Sequence, residues 1–363
     1  MEIQAVIENI KYEKCIRNPL KKFSFPSFEI DINELPPTCL INIKNFSFAI
    51  SKWVSPKRTR SYPYARVYDT LQTPASKVVA IIPIIKDEGR NGDRDFLQWD
   101  TVSLMSLLNV YVIPAYYSHA SRKVTKSGKI KISNQQFDGN YITRKLKELS
   151  VYHASALHWN LKELSPENLT KVINKALLSY KKISEITGVP IHSVSGIEKF
   201  QRTLSIGIKA FKDFSRFKAQ RAQKREKQTI QPKEKIQSGK KGTITIKNYL
   251  GGYYFFTVDE VAIKSDALHL IEAKHSSSKL LPSKEDIKDG LLKMIIYTNL
   301  SEAFIGKEKV KKVVPVLKLT SKLIRGKYIS SDILKVKSDS FLKALIEESN
   351  KNSFEIWLEG IHD

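Results

Sequence analysis

The stretch from residue 257 to residue 275 decides the fold of the C-terminal third, and it reads TVDEVAIKSDALHLIEAKH. Two runs rich in apolar and β-branched residues flank a short polar segment at 264–267, which is typical of a β-hairpin. A hairpin centred between residues 265 and 266 would place Asp259 opposite Glu272 on one face. Lys274 follows Glu272 by two positions, so it projects from that same face. The sequence therefore predicts two carboxylates and one ammonium group side by side.

These three residue types indicate a metal-dependent site. Two facing carboxylates repel each other, so burying both is costly unless a cation lies between them. Mg²⁺ prefers hard oxygen ligands and binds through one or two carboxylates together with substrate phosphate. We therefore interpret Asp259 and Glu272 as ligands for Mg²⁺, and Lys274 as the group that activates or positions an attacking water. Glu260 is the alternative to Asp259, because a register shift of one residue exchanges the faces of a strand.

The pattern resembles the PD-(D/E)XK nuclease superfamily, to which most type II restriction endonucleases belong. Asp259 and the tripeptide from Glu272 to Lys274 match its D…(E)XK signature, although Val258 stands where a proline often precedes the aspartate. The resemblance covers residues 243–352. It implies a mixed-sheet nuclease core in which Asp259, Glu272 and Lys274 are catalytic and Mg²⁺ is the metal.

The residues after the signature also resemble that core. Ser283, with Asp286 three residues later, predicts a capped helix over 284–299, and the apolar run at 313–319 predicts a further strand before another helix. Relatives often carry a lysine or glutamine on the first of these helices, for which the resemblance offers Lys288 and Lys293. They often carry a further acid on a helix before the hairpin, for which Glu198 is the nearest residue.

The charge of the chain points to a polyanionic partner. Lys and Arg number 61 against 37 Asp and Glu, which gives a formal net charge of +24. Such an excess attracts polyanions, either nucleic acid or an anionic membrane surface, and the short apolar stripe and the lack of a lipidation motif favour nucleic acid. Residues 201–242 alone hold thirteen cations and three acids, and we assign phosphate contacts there to Lys218, Arg221, Lys224, Arg225, Lys240 and Lys241. The alternative is a solvated helix face followed by a polar linker at 228–242.

The rest of the chain predicts an α/β protein in three parts. Residues 1–140 form an N-terminal α/β region, a candidate for base recognition or dimer contact, in which 77–117 reads as strand, helix and strand and 1–76 as irregular or short-stranded. Residues 141–242 are a helical and basic segment, with helices expected over 141–163, 166–187 and 195–226. Residues 243–363 are the proposed nuclease core.

An acidic cluster follows the first strand of the N-terminal region. Its members are Asp87, Glu88, Asp93, Asp95 and Asp100. Acids at the carboxyl end of a strand in an α/β sheet can form a site, so a second metal site or an alternative catalytic centre is one interpretation. The other is that residues 93–95 cap the following helix and form local ion pairs, or that the loop contacts a partner.

Several classes of protein are excluded by what the sequence lacks. No run approaches 18 apolar residues, and the first residues carry acids without a long apolar core, so we expect no membrane span and no secretory signal. Two cysteines, Cys15 and Cys39, cannot build a disulfide framework. No GxxxxGK[ST] motif occurs, so we expect that the chain does not hydrolyse nucleotides by itself. We assign no cofactor-binding residues, and Mg²⁺ is the cofactor that we expect. We therefore expect a cytoplasmic protein.

Together these features predict a Mg²⁺-dependent endonuclease for double-stranded DNA. A type II restriction enzyme would act beside a companion DNA methyltransferase, and recognition of a palindrome would imply a homodimer. Two alternatives remain open. One is a non-catalytic basic protein that binds nucleic acid; the other is a nuclease of the same fold that acts in repair, recombination or phage defence on RNA or branched DNA.

Overall fold

The computed structural model is a mixed α/β protein and describes residues 1–17, 19–56, 62–193, 195–228, 240–264 and 266–360. The described strands are β1 (Glu2–Ile7), β2 (Lys22–Phe25), β3 (Thr38–Ile43), β4 (Phe46–Lys52), β5 (Lys77–Pro83), β6 (Ile85–Asp87), β7 (Arg94–Phe96), β8 (Tyr111–Ala115), β9 (Tyr117–Val124), β10 (Ile130–Phe137), β11 (Lys240–Asn248), β12 (Tyr253–Lys264), β13 (Ala267–Ser276), β14 (Leu300–Ile305), β15 (Glu308–Lys309), β16 (Lys312–Ser321), β17 (Lys327–Ile329) and β18 (Glu355–Gly360). The described α-helices are α1 (Pro63–Thr70), α2 (Trp99–Leu107), α3 (Gly139–Ser150), α4 (Ala156–Glu163), α5 (Pro166–Thr187), α6 (Ser195–Ser205), α7 (Ile208–Gln228), α8 (Lys284–Tyr297) and α9 (Ser340–Asn352), and a 3-10 helix spans Ser330–Lys335.

Two compact units divide the chain. The split unit combines Met1–Asn18 with Arg216–Asp363, and the continuous unit is Pro19–Ser215. The predicted parts 1–140, 141–242 and 243–363 do not coincide with these units. The reason is that β1 pairs with β11 and β14, which follow it by most of the chain length. Local sequence patterns carry no record of a pairing over that distance.

The split unit is built on one nine-stranded sheet, in the order β15-β14-β1-β11-β12-β13-β16-β18-β17. Strands β11, β12 and β13 form an antiparallel meander, whereas β13, β16 and β18 run parallel. Helix α8 packs on β13 and β16 through buried residues that include Leu291 and Ile295. The predicted hairpin, the helix after it and the strand at 313–319 are confirmed.

The continuous unit holds a five-stranded mixed sheet, in the order β2-β3-β4-β5-β8. Strands β5 and β8 are parallel, and α2 lies between them in the chain, so the predicted strand–helix–strand unit is confirmed. Residues 1–76 contain four short strands, β1 to β4. They also contain α1, which was not predicted, although Pro63 occupies its first turn as helix-starting prolines do.

The predicted helix ends are confirmed where the sequence has a capping serine or a terminal glycine, as in α5. The Ser165 hydroxyl accepts a hydrogen bond from the Asn168 amide at 3.3 Å, and Gly188 ends α5 at φ 64°, both as predicted. The single helix expected over 141–163 is wrong, because α3 ends at Ser150 and α4 begins after its own N-cap, Ser155. The helix expected over 195–226 is likewise two helices, with Gly207 at φ 122° between them.

Two further segments differ from expectation or fall outside the description. Strands β9 and β10 form a two-stranded ribbon that the sequence interpretation did not include. Of the predicted linker at 228–242, residues 229–239 lie outside the described residues, and β11 begins at Lys240. In the part of the chain that is described, no helix combines the length and apolar character needed to cross a membrane.

Candidate functional site

The hairpin has the register that the sequence predicted. Glu260 pairs with Ile271 and Lys264 with Ala267, and Asp266 occupies the turn at φ 61°. The regular ladder stops at Glu260. At the preceding residue, the Asp259 side chain takes the place of a backbone hydrogen bond between β12 and β13, because its Oδ2 accepts a hydrogen bond from the Ala273 amide at 2.9 Å. This bond fixes Asp259 beside the strand that carries Glu272.

Glu272 is the buried centre of the cluster, with 2% of its surface exposed. Its Oε1 lies 3.0 Å from Lys274 Nζ, and its Oε2 lies 2.5 Å from Lys293 Nζ on helix α8. Burial alone would raise the pKa of this carboxyl group. The ammonium groups of Lys293 and Lys274 outweigh that effect and hold its pKa at about 2. Glu272 is therefore an anion at every physiological pH.

Asp259 has the opposite electrostatic balance. Burial and the neighbouring negative charge of Glu272 raise its pKa to about 7, although Lys293, the Ala273 amide and Lys274 act in the other direction. Asp259 thus exchanges its proton near neutral pH. The two carboxyl groups have different pKa values because Glu272 takes the close contacts with both lysines.

Lys274 links the hairpin to the helix above it. Its Nζ lies 3.0 Å from Glu272 and 2.8 Å from Asp289 Oδ2 on α8. Burial lowers the pKa of the Lys274 ammonium, but Glu272 and Asp289 outweigh burial and raise it above its ordinary value. Lys274 is therefore a fixed cation, suited to orient a water or stabilise negative charge rather than to accept a proton.

A glycine on α8 makes room for this lysine. A Cβ atom built on Gly290 would lie 2.7 Å from Leu317 Cδ1 and 3.2 Å from Lys274 Cε. Contacts that short require a neighbouring side chain to move. Gly290 therefore lets α8 approach β13 and β16 closely enough for Asp289 and Lys293 to reach the hairpin.

The structure separates the alternative residues. Glu260 is 3.2 Å from Lys318, which also pairs with Glu359 at 2.8 Å, and Glu260 points away from Glu272 because adjacent strand residues alternate. Of the two helix lysines, Lys293 contacts Glu272. Lys288 is buried as well but lies five residues earlier, on a different face of the helix. Glu198 lies on α6 in the continuous unit.

Sequence reasoning missed Asp289. The signal for it was present, since Asp289 precedes Lys293 by four residues and side chains at that spacing lie on the same helix face. Once Lys293 is placed toward the hairpin, Asp289 must face it too.

The predicted phosphate contacts fall on α7 and the start of β11. Lys218, Arg221 and Lys224 are exposed and form one stripe on α7, and Lys241 is half-buried in β11. The C-terminal part of α7 is attached to the sheet, because the Gln223 side chain donates to the Phe256 carbonyl at 2.9 Å. The side chains of Arg225 and Lys240 lie outside the described residues.

The acidic cluster lies on and around the short hairpin of β6 and β7 in the continuous unit, where Asp87 is opposite Arg94. Asp87 is 1% exposed and binds His192 Nδ1 at 2.8 Å, and Glu88 pairs with Lys86 at 3.2 Å. The expected cap from residues 93–95 is wrong, because Asp95 lies in β7 and the N-cap of α2 is Gln98. Across the described residues, no group of three or more His, Cys, Asp or Glu side chains is arranged to hold a metal ion.

Comparison with family models, with curated proteins and with solved structures gave no match for this chain. The chemistry of the cluster on α8 and the hairpin therefore has to be argued from its own residues.

Proposed function

We propose that the split unit hydrolyses phosphodiester bonds of double-stranded DNA with the help of Mg²⁺. The observation that carries the proposal is the convergence of Asp259, Glu272 and Lys274 at the end of the hairpin, with Lys274 Nζ 3.0 Å from Glu272. Two carboxylates beside a fixed ammonium are the parts that the D…(E)XK signature requires. The mixed sheet with α8 on the site face supports a core of the PD-(D/E)XK kind.

The donor set fits Mg²⁺. Asp259 and Glu272 offer hard oxygen atoms, and Mg²⁺ completes its coordination with waters and phosphate. The raised pKa of Asp259, about 7, reflects burial and the repulsion from Glu272, which a divalent cation would relieve. Asp259 and Glu272 would hold the ion. When bound, it would supply Lewis-acid stabilisation of the negative charge on the phosphate.

The protein's own groups then have separate roles. The Lys274 ammonium orients the attacking water and stabilises the charge that develops on the phosphate oxygens. Asp289 and Lys293 keep Lys274 and Glu272 in place through contacts of 2.8 and 2.5 Å. The water oxygen forms a bond to phosphorus and releases a proton to solvent, while the bond to one ester oxygen breaks and that oxygen takes up a proton from solvent.

Duplex DNA is proposed as the substrate because of the charge. The net charge of +24 and the exposed stripe of Lys218, Arg221 and Lys224 favour a ligand with many phosphates. A cytoplasmic type II restriction enzyme, dimeric on a palindromic site and accompanied by a methyltransferase, is the specific form of this proposal. Nucleases of the same core that act in repair or phage defence share the chemistry and differ in substrate.

A non-catalytic binding protein is the second candidate. Glu272 is already neutralised by Lys274 and Lys293, so the cluster is a satisfied ion-pair network without any metal. Such a network could serve packing alone, while the cations bind nucleic acid. This candidate predicts salt-sensitive DNA binding with no cleavage in Mg²⁺.

The deciding experiment is digestion of sequenced genomic DNA with Mg²⁺ or with EDTA. We expect cleavage only with Mg²⁺, and a loss of about 100-fold or more in Asp259→Asn, Glu272→Gln and Lys274→Met. Glu260→Gln is the matched control, since Glu260 is also an acid of the hairpin and Lys318 keeps Glu359 as a partner. Undiminished cutting by Glu272→Gln would show that this cluster is not the catalytic site. DNA binding without cutting would favour the second candidate, and mapped fragment ends would give the recognition sequence.

A further inference from the structure

The ribbon formed by β9 and β10 packs on helix α5 of the continuous unit through β9. Its base is fixed by Tyr117 and Phe137, which are buried, and by Ser179 Oγ, which donates to the Tyr117 carbonyl at 2.6 Å. Nearer the turn, Ile132 of β10 is buried and its amide donates to the Glu88 carbonyl at 2.9 Å. Toward the turn β9 becomes exposed, from Arg122 to Val124, and the turn itself is exposed from Lys126 to Lys129, whereas Ile130 and Lys131 of β10 stay half-buried. A two-stranded ribbon in water is marginally stable by itself. The exposed end of β9 and the exposed turn are therefore not explained by packing.

The ribbon is cationic and has no acid of its own. No aspartate or glutamate occurs anywhere in residues 101–137. The cations of the ribbon are Arg122, Lys123, Lys126, Lys129 and Lys131. Within the described part of the chain, Lys131 has an ion pair, with Glu88 at 3.6 Å, and the other four have no carboxylate partner. Four uncompensated cations on one exposed ribbon make a strongly positive surface.

The register places like charges together. Lys123 lies directly opposite Lys131, and Ser121 lies opposite Ser133. Like charges in opposed positions destabilise a sheet. Lysines on exposed strands also prevent edge-to-edge aggregation, but that role does not require two lysines to face each other. Glu88 offsets this charge for Lys131, while Lys123 has no carboxylate partner among the described residues, so a polyanion bound along this face would compensate it.

Below the cations, the ribbon presents groups that can read bases. Ser121 and Ser133 offer hydroxyl groups, and Gln136 is exposed opposite His119. A bulge between Ser133 and Gln136, with Asn134 at φ 49°, breaks the alternation and brings the Asn134 amide to Ser121 Oγ at 3.0 Å. Bulges redirect side chains. Amide and hydroxyl groups match the donors and acceptors of base edges.

We propose that the β9–β10 ribbon, residues 117–137, enters the major groove of duplex DNA and reads base edges there. The major groove is about 12 Å wide and admits a two-stranded ribbon. The cations near the turn bind phosphates. The amide and hydroxyl groups farther from the turn contact the nucleobases. The inference rests on the proposed function in taking duplex DNA as the ligand. It extends that function by assigning sequence recognition to the continuous unit.

The first test measures how DNA affinity depends on salt. The ribbon variant is Arg122→Gln with Lys123→Gln, Lys126→Gln and Lys129→Gln, in the full chain with EDTA present. The control changes four exposed lysines of α5 in the same unit to glutamine: Lys171, Lys175, Lys181 and Lys182. We expect the slope of log affinity against log salt to fall by about 3 in the ribbon variant and by less than about 1 in the control. Equal slopes in the two variants would overturn the inference.

The second test measures base reading. Duplexes enriched by wild-type protein from a random library are compared with unselected duplexes. Ser133→Ala with Gln136→Ala keeps every cation, so it stays informative if the four-residue variant does not fold. We expect it to lose about tenfold or more of the preference for the enriched duplexes, with unchanged affinity for unselected DNA. An unaltered preference would show that the ribbon does not read bases.

The outcomes separate this inference from the nuclease proposal. If Glu272→Gln still cleaves but the ribbon variant loses its salt-dependent binding, the nuclease site is wrong and the ribbon stands. If Glu272→Gln is inactive and both ribbon variants bind DNA as the wild type does, the inference about the ribbon is wrong and the nuclease site stands. Binding of the ribbon to an acidic protein, with no affinity for DNA, would contradict both.

Discussion

Asp259 and Glu272 share one site and differ by several units in pKa. Glu272 is ionised because two ammonium groups contact it, and its pKa is about 2. Asp259 lacks such close contacts, and burial beside Glu272 raises its pKa to about 7. Pairs of titratable groups with separated pKa values are a feature of functional sites. Added positive charge would therefore stabilise the site mainly at Asp259.

This division predicts how stability depends on pH. The folded-state pKa of Asp259, about 7, lies above its ordinary value of 3.8, so the folded protein keeps a proton that the unfolded chain releases. The resulting stabilisation is complete below pH 4 and is lost as the pH rises through 7. Asp259→Asn removes that dependence. The free energy of unfolding of the variant relative to wild type should therefore rise between pH 5 and pH 8, by on the order of 2 kcal/mol after allowing for partial exposure.

Urea unfolding of both proteins at pH 5 and pH 8 in EDTA checks this expectation. Parallel stability curves would contradict the raised pKa. Mg²⁺ added at pH 8 should stabilise the wild type and leave Asp259→Asn unchanged, because an ion that binds only the folded state raises its stability.

Sequence reasoning placed the strand residues of the site better than the helix residues. Strand side chains alternate with a period of two, so a hairpin centre at 265–266 was sufficient to bring Asp259, Glu272 and Lys274 together. Helix residues depend on the rotation of the helix about its axis against the sheet. That rotation decided between Lys288 and Lys293, and it brought in Asp289, which the sequence interpretation left out.

At the scale of elements, the distance between α8 and the sheet controls the site. At Gly290 the helix is close to the sheet, since an added Cβ would lie 2.7 Å from Leu317 Cδ1 on β16 and 3.2 Å from Lys274 Cε on β13. Lys274 and Asp289, the residue before Gly290, meet at 2.8 Å across this close approach. The helix thus acts as a second wall of the site rather than as packing alone.

Gly290→Ala should therefore lower the rate of cleavage strongly while it leaves the protein folded. The new Cβ would stand 3.2 Å from Lys274 Cε, so the lysine must shift, and we expect about tenfold or more loss of cleavage. Crowding against Leu317 should cost about 1–3 kcal/mol of stability. Gly139→Ala at the start of α3 is the matched control, since nothing lies within 4 Å of its added Cβ. Cleavage by Gly290→Ala at the wild-type rate would show that Lys274 tolerates the shift.

Elements with strong local signals were predicted, and those without were not. Helices α5 and α8 begin at serine caps that the sequence displays at Ser165 and Ser283. The β9–β10 ribbon was missed because its strands hold lysine, serine and asparagine instead of a regular apolar alternation. The break between α3 and α4 was missed because the apolar spacing continues across residues 151–155. Tertiary contacts, not local preference, define such elements.

At the scale of the molecule, the central place of β1 ties the two ends of the chain together. Strand β1 lies between β14 and β11, with Ile3 opposite both Ile244 and Ile305. The sheet that carries Asp259 and Glu272 therefore continues through the first residues of the protein. The expected core at 243–363 would lack one of its own central strands.

Ile3→Ala tests this arrangement, because Ile3 is 1% exposed and its removal leaves a cavity within the sheet core. We expect a loss of about 2–4 kcal/mol. Gln4→Ala, on the exposed face of the same strand, is the control and should cost less than about 0.5 kcal/mol. In Ile3→Ala, hydrogen exchange should accelerate in β11 and β14 but not in β5 and β8, which belong to the continuous unit. Equal acceleration in β5 and β8 would mean that the two units unfold as one, and unchanged exchange in β11 would mean that β1 does not support the sheet.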